Sequence, residues 1–157
     1  PAAVNTQAET AEDVVWINGT TQIGGATWYN AVSQYVGAEE PSVVYIRHTA
    51  QGLVRRDDVS DPGYYLLRTP LATGTTWTDT FDDRIRLTIT GVNQTVTVGA
   101  GTFTQCIIVN DVFTVTGEPD DILKSWYAYG VGMVQQQHYE GATLQDTLAL
   151  TEYTLAE

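Results

Sequence analysis

Cys106, His48 and His138 are the side chains of this sequence best suited to nucleophilic or acid–base chemistry. A thiolate nucleophile needs a base or a positive neighbour, and Cys106, in TFTQCIIV, has no histidine near it in sequence. Sharing a strand face with Thr104 and Ile108, it reads as a small buried hydrophobe. The histidines stand alone. His48 follows a strand beside Arg47, and His138 lies among Gln135, Gln136 and Gln137. No metal-ligand spacing ties either of them to carboxylates or thiolates, so solvated or edge positions are expected. Three acidic clusters, Asp57/Asp58/Asp61, Asp79/Asp82/Asp83 and Glu118/Asp120/Asp121, fall in predicted loops. Such loops hold calcium when five or more oxygens converge. None has the glycine and closing glutamate of a calcium loop, and solvated turns are the expected role. No Gly-x-Ser-x-Gly, phosphate loop or dinucleotide fingerprint occurs. The chain therefore reads as a non-enzyme with no cofactor and no metal.

Bulk composition narrows the partners. Nineteen acids against seven bases give a net charge of −12, a surface that repels phosphate backbones, so nucleic acid is excluded as a partner. One cysteine leaves no intramolecular disulfide, and no apolar run approaches the roughly 20 residues that cross a bilayer as a helix. Pro1, Ala2 and Ala3 followed by a polar stretch look like the start left when a secretion signal is removed. That points to the extracellular space or cell envelope. Four Trp and nine Tyr are read first as core packing and second as the lining of an apolar or sugar site. Asn18-Gly19-Thr20 and Asn93-Gln94-Thr95 match the glycosylation pattern, which matters only in a glycosylating host.

The elements that would position these groups are short strands. Arg84 to Thr90 alternates, with Ile85, Leu87 and Ile89 on one face and Arg86, Thr88 and Thr90 on the other. Val14–Ile17 and Thr20–Ile23 flank Asn18-Gly19, the strongest short hairpin signal. Thr95–Val98 and Thr102–Val109 flank Gly99-Ala100-Gly101, where glycine permits positive φ. Asp61-Pro62-Gly63 is a turn sequence. In all, 10 to 12 strands are expected, with turn signals about every 8–12 residues and little helix. The fold class is all-β, an antiparallel sheet in an open or half-closed barrel. Ile85, Leu87, Ile89, Val96, Val98, Phe103, Ile107 and Val109 are the predicted core. Gly99, Gly101, Gly130 and Gly132 are read as structural turn or bulge glycines. Residues 1–13 read as a flexible N-terminal arm ahead of a single β domain at 14–157.

Pro70-Leu71-Ala72-Thr73-Gly74-Thr75-Thr76-Trp77, Thr95–Phe103, Ser125–Val134 and Thr147–Tyr153 together resemble bacterial secreted or lipoprotein-type β domains of unassigned function. Their pattern is PL-x-x-G-x-x-W, then VTVPAGTF, then WYAPGVGLV and a final amphipathic strand. Gly99 and Tyr129 stand where that pattern has proline. The resemblance implies a half-barrel similar to lipoprotein carriers, a curved antiparallel sheet with an apolar concave face, and no catalytic residue.

The resulting expectation is a non-catalytic extracytoplasmic β domain with a structural or protein-interaction role. A protein partner or self-association is expected, with Val14, Val15, Trp16 and Ile17 anchoring an arm that pairs with a neighbour's sheet edge and builds a fibre-type assembly. A carrier of an apolar, lipid-like ligand in the concave face is the alternative. A hydrolase without recognisable motif is the third reading.

Overall fold

The computed structural model describes residues 2–7, 12–34 and 38–154. Valine, isoleucine, threonine and tyrosine fit a half-buried pleated surface, and here they build twelve strands and, among the described residues, no helix. They are β1 (Ala2–Gln7), β2 (Glu12–Ile23), β3 (Ala26–Gln34), β4 (Ser42–Thr49), β5 (Gly52–Arg56) and β6 (Tyr64–Arg68), then β7 (Thr76–Thr78), β8 (Ile85–Val98), β9 (Gly101–Phe113), β10 (Asp121–Ala128), β11 (Gly132–Glu140) and β12 (Thr143–Thr154). The strands form one sheet in the order β6-β5-β4-β3-β2-β1-β12-β11-β10-β9-β8-β7. Every pairing is antiparallel. The two sheet edges, β6 and β7, are therefore consecutive in the chain. No ladder joins them. Instead the Trp77 indole N–H donates to the Tyr65 carbonyl at 3.0 Å, and the Tyr64 and Phe81 rings meet edge-on at 5.9 Å. The result is a sheet rolled most of the way to a barrel and latched by side chains.

The N-terminal segment corrects the sequence reading. Ala2–Gln7 pairs with β12 on one side and β2 on the other, so the arm is an inner strand of its own sheet. A ladder is made by the backbone and tolerates the polar side chains that suggested a free leader. Val14, Val15 and Trp16 are paired on both sides, with Val4, Ala3 and Ala2 and with Gln34, Ser33 and Val32, and Ile17 pairs with Ala31. Val14, Val15 and Trp16 offer no free edge, so they cannot anchor an arm that pairs with a neighbour's sheet. Pro1 and residues 8–11 of the expected arm lie outside the described residues.

Two local readings also change. Asn18-Gly19 is a bulge inside the single strand β2, where the register shifts between Ile17 and Thr20; the β2–β3 turn is Gly24-Gly25. Asn30 Nδ2 holds the bulge by donating to the Asn18 carbonyl at 3.1 Å. In β8 and β9 the register shifts three times, and Asn93 and Gln105 take φ of 54° and 58°. The twist at Gln105 breaks strict alternation, so Phe103 and Cys106 both turn inward.

Two apolar clusters pack the β6–β12 part of the roll. Phe103, Cys106, Trp126, Ala128, Val134 and Leu150 form one, with Val96, Val98, Ala100, Ile108 and Val131 against it. Trp77, Leu87, Ile89 and Val109 form the other, with Tyr65, Leu67, Ile85 and Ile107 packed on it. Of the predicted core, Leu87, Ile89, Phe103 and Val109 are buried, while Ile85, Val96, Val98 and Ile107 are half-buried.

Candidate functional site

Strict alternation of strand direction sorts the connections by position. Those after odd-numbered strands meet at one rim of the roll and those after even-numbered strands at the other. Cross-connections confirm the grouping. At one rim Thr114 N–H donates to the Arg84 carbonyl at 3.4 Å and Gly141 N–H to the Asp120 carbonyl at 2.7 Å. At the other, Thr69 N–H reaches the Gln51 carbonyl at 2.9 Å.

The first rim gathers all three acidic clusters, together with Glu39 and Glu40. Its only base among the described connections is Arg84. Most of these carboxylates shape their own loops, as Asp and Asn side chains do in turns. Asp58 accepts from Ser60 N–H and Oγ at 2.9 and 2.7 Å. Asp79 accepts from Phe81 N–H at 2.7 Å. Asp82 accepts from Arg84 N–H and Nε at 3.0 and 2.9 Å and from its Nη2 at 2.7 Å. The bond from Ser60 N–H holds the Asp58 carboxyl below its ordinary range, and Arg84 does the same for Asp82. Among the described residues no group of three or more His, Cys, Asp or Glu is placed to hold a metal.

The same rim carries a cleft of about 240 Å³ lined by Phe113, Val115, Glu118, Pro119, Asp121, His138 and Glu140. His138 Nε2 lies 2.5 Å from Asp121 Oδ1, and its Nδ1 lies 3.4 Å from Asp146 Oδ2. The hydrogen bond to Asp121, reinforced by Asp146, raises the imidazole above its ordinary 6.5. The two carboxylates sit at opposite ring nitrogens, so one ion could not meet all three groups. The cleft lining joins three carboxylates, Glu118, Asp121 and Glu140, to this imidazole. Beneath it, burial pushes Asp111 up to about 6, with Asp79 and Asp121 adding repulsion.

Cys106 is fully buried and its thiol points at the Phe103 carbonyl at 3.6 Å. Burial raises its pKa, which makes it unreactive. His48 is exposed on β4, opposite Leu53. The structure brings none of the three chemistry-bearing side chains together.

The second rim is built otherwise. Its turns, residues 24–25, 50–51, 69–75, 99–100 and 129–131, contain no charged residue. Tyr129 is 98% exposed at the β10–β11 turn, and Leu71 is 49% exposed in the β6–β7 connection. Gly130 and Gly132, at φ 74° and 105°, supply the left-handed geometry that lets this turn project Tyr129. Gly101 also has positive φ, at 132°, but Gly99 does not. Its role is close approach: a side chain there would stand 3.3 Å from the Thr151 Cα, where the β8–β9 hairpin folds onto β12. Ala100 N–H donates to the Leu150 carbonyl at 3.0 Å at that contact. Val98, Ala100, Ala128 and Val131 tie the rim to the apolar cluster below.

The sequence reading found the acidic loops one by one and missed their convergence. Counting strands in one antiparallel sheet would have exposed it. It also missed Tyr129 as a presented side chain, although the exchange of a proline for an aromatic was visible there.

No family model and no curated protein matches this chain. Two solved structures share its fold. One is a candidate exported protein with a YmcC-like fold from Bacteroides fragilis, at TM-score 0.65 and 13% identity over 96% of this chain and 93% of that one. The other is a candidate lipoprotein from Parabacteroides distasonis, at TM-score 0.58 and 14% identity over the same shares.

Proposed function

We propose that this chain is a non-catalytic domain of the cell exterior or envelope that contacts a protein partner through its uncharged rim. Tyr129 carries the reading: a large aromatic, 98% exposed, on a turn anchored to a packed cluster. Rigid aromatic anchors of this kind dominate protein interfaces. An uncharged surface is also the cheapest part of a −12 chain to desolvate. The acidic rim keeps the opposite end solvated and repels like chains. Likeness to an exported protein and a lipoprotein candidate supports the extracytoplasmic placement. A carrier has weaker support, because the cleft at the acidic rim places Glu118, Asp121, His138 and Glu140 among its apolar side chains.

The test introduces charge at each rim in the native host. The wild-type protein should run in a higher-mass complex on a native gel of envelope extract, and Tyr129→Asp with Leu71→Asp should remove that complex with the circular dichroism unchanged. Asp82→Asn with Asp83→Asn should leave that complex intact. The reading fails if the first pair runs like wild type.

A further inference from the structure

One face of β3, β4 and β5, running up to the acidic rim at Arg56, collects positive and aromatic side chains in register. Asn30, Tyr45 and Arg56 form one cross-strand row. Arg47 and Val54 pair in the next row, and Trp28 of β3 lies beside Arg47. The Arg56 guanidinium stacks on the Trp28 indole at 4.7 Å, and Arg47 lies over the same ring at 6.0 Å.

This group is short of acceptors. Trp28 is 4% exposed, and its indole N–H is buried with no partner. Arg56 Nε is likewise buried and unpartnered, while its Nη1 donates to the Val59 carbonyl at 3.1 Å. Among the described residues neither Arg47 nor Arg56 has a carboxylate within ion-pair distance. That is unexpected in a chain where acids outnumber bases nineteen to seven. Asp57, next to Arg56 in sequence, bonds Arg55 instead, at 2.7 Å. Buried donors are nearly always satisfied, and two adjacent ones beside two unpaired cations call for one acceptor group that carries negative charge.

We infer that this face binds a carboxylate-bearing ligand, whose oxygens accept from Trp28 Nε1 and Arg56 Nε while Arg47 neutralises the remaining charge. The ligand enters as the Arg56 side chain swings off the indole, trading its bond to Val59. Such a carboxylate comes from an acidic sugar or from an anionic amphiphile, and both present the same group to the two donors.

The experiment follows the four tryptophan indole N–H signals by nitrogen–proton NMR, with Trp28→Phe assigning the Trp28 signal. Sodium glucuronate and sodium decanoate are titrated separately, against sodium chloride at equal ionic strength. The Trp28 signal should move saturably with at least one carboxylate and not with chloride. Glucuronate alone identifies an acidic sugar, decanoate alone an amphiphile, and both together a site that reads only the carboxylate. Arg56→Gln should weaken binding about tenfold or more and Arg47→Gln by less, as expected for loss of a charge-assisted bond. Arg56→Lys, which keeps the charge but lacks the Nε donor, should bind between wild type and Arg56→Gln. Unmoved indole signals in a folded protein with both carboxylates would overturn the site, as would equal affinity in Arg56→Gln.

Discussion

The two rims of the rolled sheet are made by the same device, a connection between antiparallel strands, yet they are stabilised in different ways. The acidic rim is shaped by carboxylates that accept hydrogen bonds from their own loops, as Asp58, Asp79 and Asp82 do. The uncharged rim is shaped by glycine turns and held from below by Val98, Ala100, Ala128 and Val131 in a packed cluster. One end therefore responds to pH and salt, and the other responds to packing. A surface that stays rigid and uncharged is suited to contact, while one that crowds like charges is suited to remain in water.

Packing changes should separate the rims most sharply. Leu150 is 2% exposed in the cluster under the uncharged rim. Leu150→Ala should cost about 2–5 kcal/mol in urea unfolding and speed amide exchange at residues 99–101 more than at residues 79–84. Equal acceleration at both rims would break the comparison.

The acidic rim should show itself in the opposite sign. Asp111 has its pKa raised from 3.8 to about 6 by burial first and by Asp79 and Asp121 second. The folded state favours the protonated form, so this contribution is present below 3.8 and lost as the pH rises through about 6. Asp111→Asn should then stabilise the protein at about pH 8, by roughly 1–2 kcal/mol after allowance for solvent screening. The advantage should vanish in acid, as judged by paired denaturation curves.

A smaller effect tests the turn that presents Tyr129. Gly130 has φ 74° with open space around it, so Gly130→Ala meets only backbone strain and should cost about 1 kcal/mol. A substitution with no measurable cost would mean that the turn relaxes easily and presents Tyr129 loosely.

The smallest effect expected is at His138. Its pKa is raised above 6.5, chiefly by the bond to Asp121, so its stabilisation is complete below that value and lost as the pH rises through the raised one. His138→Gln should lower the unfolding midpoint slightly in mild acid and leave it unchanged in alkali. A loss confined to alkaline solution would contradict the assigned pairing.

Much of this was legible in the residues. Clean alternation in Arg84–Thr90 marked the first half of β8, and Asp61-Pro62-Gly63 marked a true connection. What failed was chemistry that serves two purposes. Asn18-Gly19 makes a bulge as readily as a hairpin, and only the cross-strand bond from Asn30 to Asn18 shows which was made. Gln105 at positive φ is a tertiary demand with no local signal, and it turned Cys106 inward beside Phe103. The arm was misread because backbone pairing does not depend on side-chain polarity. The candidate surface was less legible still, since the acidic clusters lie in separate loops far apart in the chain and only the strand order collects them at one end.

Contact through the uncharged rim has a matched test in two exposed aromatics. Tyr129 is 98% exposed on that rim, and Phe81 is 55% exposed on the acidic one. A photocrosslinking amino acid placed at each position in turn, in the native host, reports what each rim touches. Position 129 should give a discrete adduct with one protein of the envelope or exterior, and position 81 should give none. An adduct from position 81 alone, the same adduct from both, or none from position 129 would contradict the account.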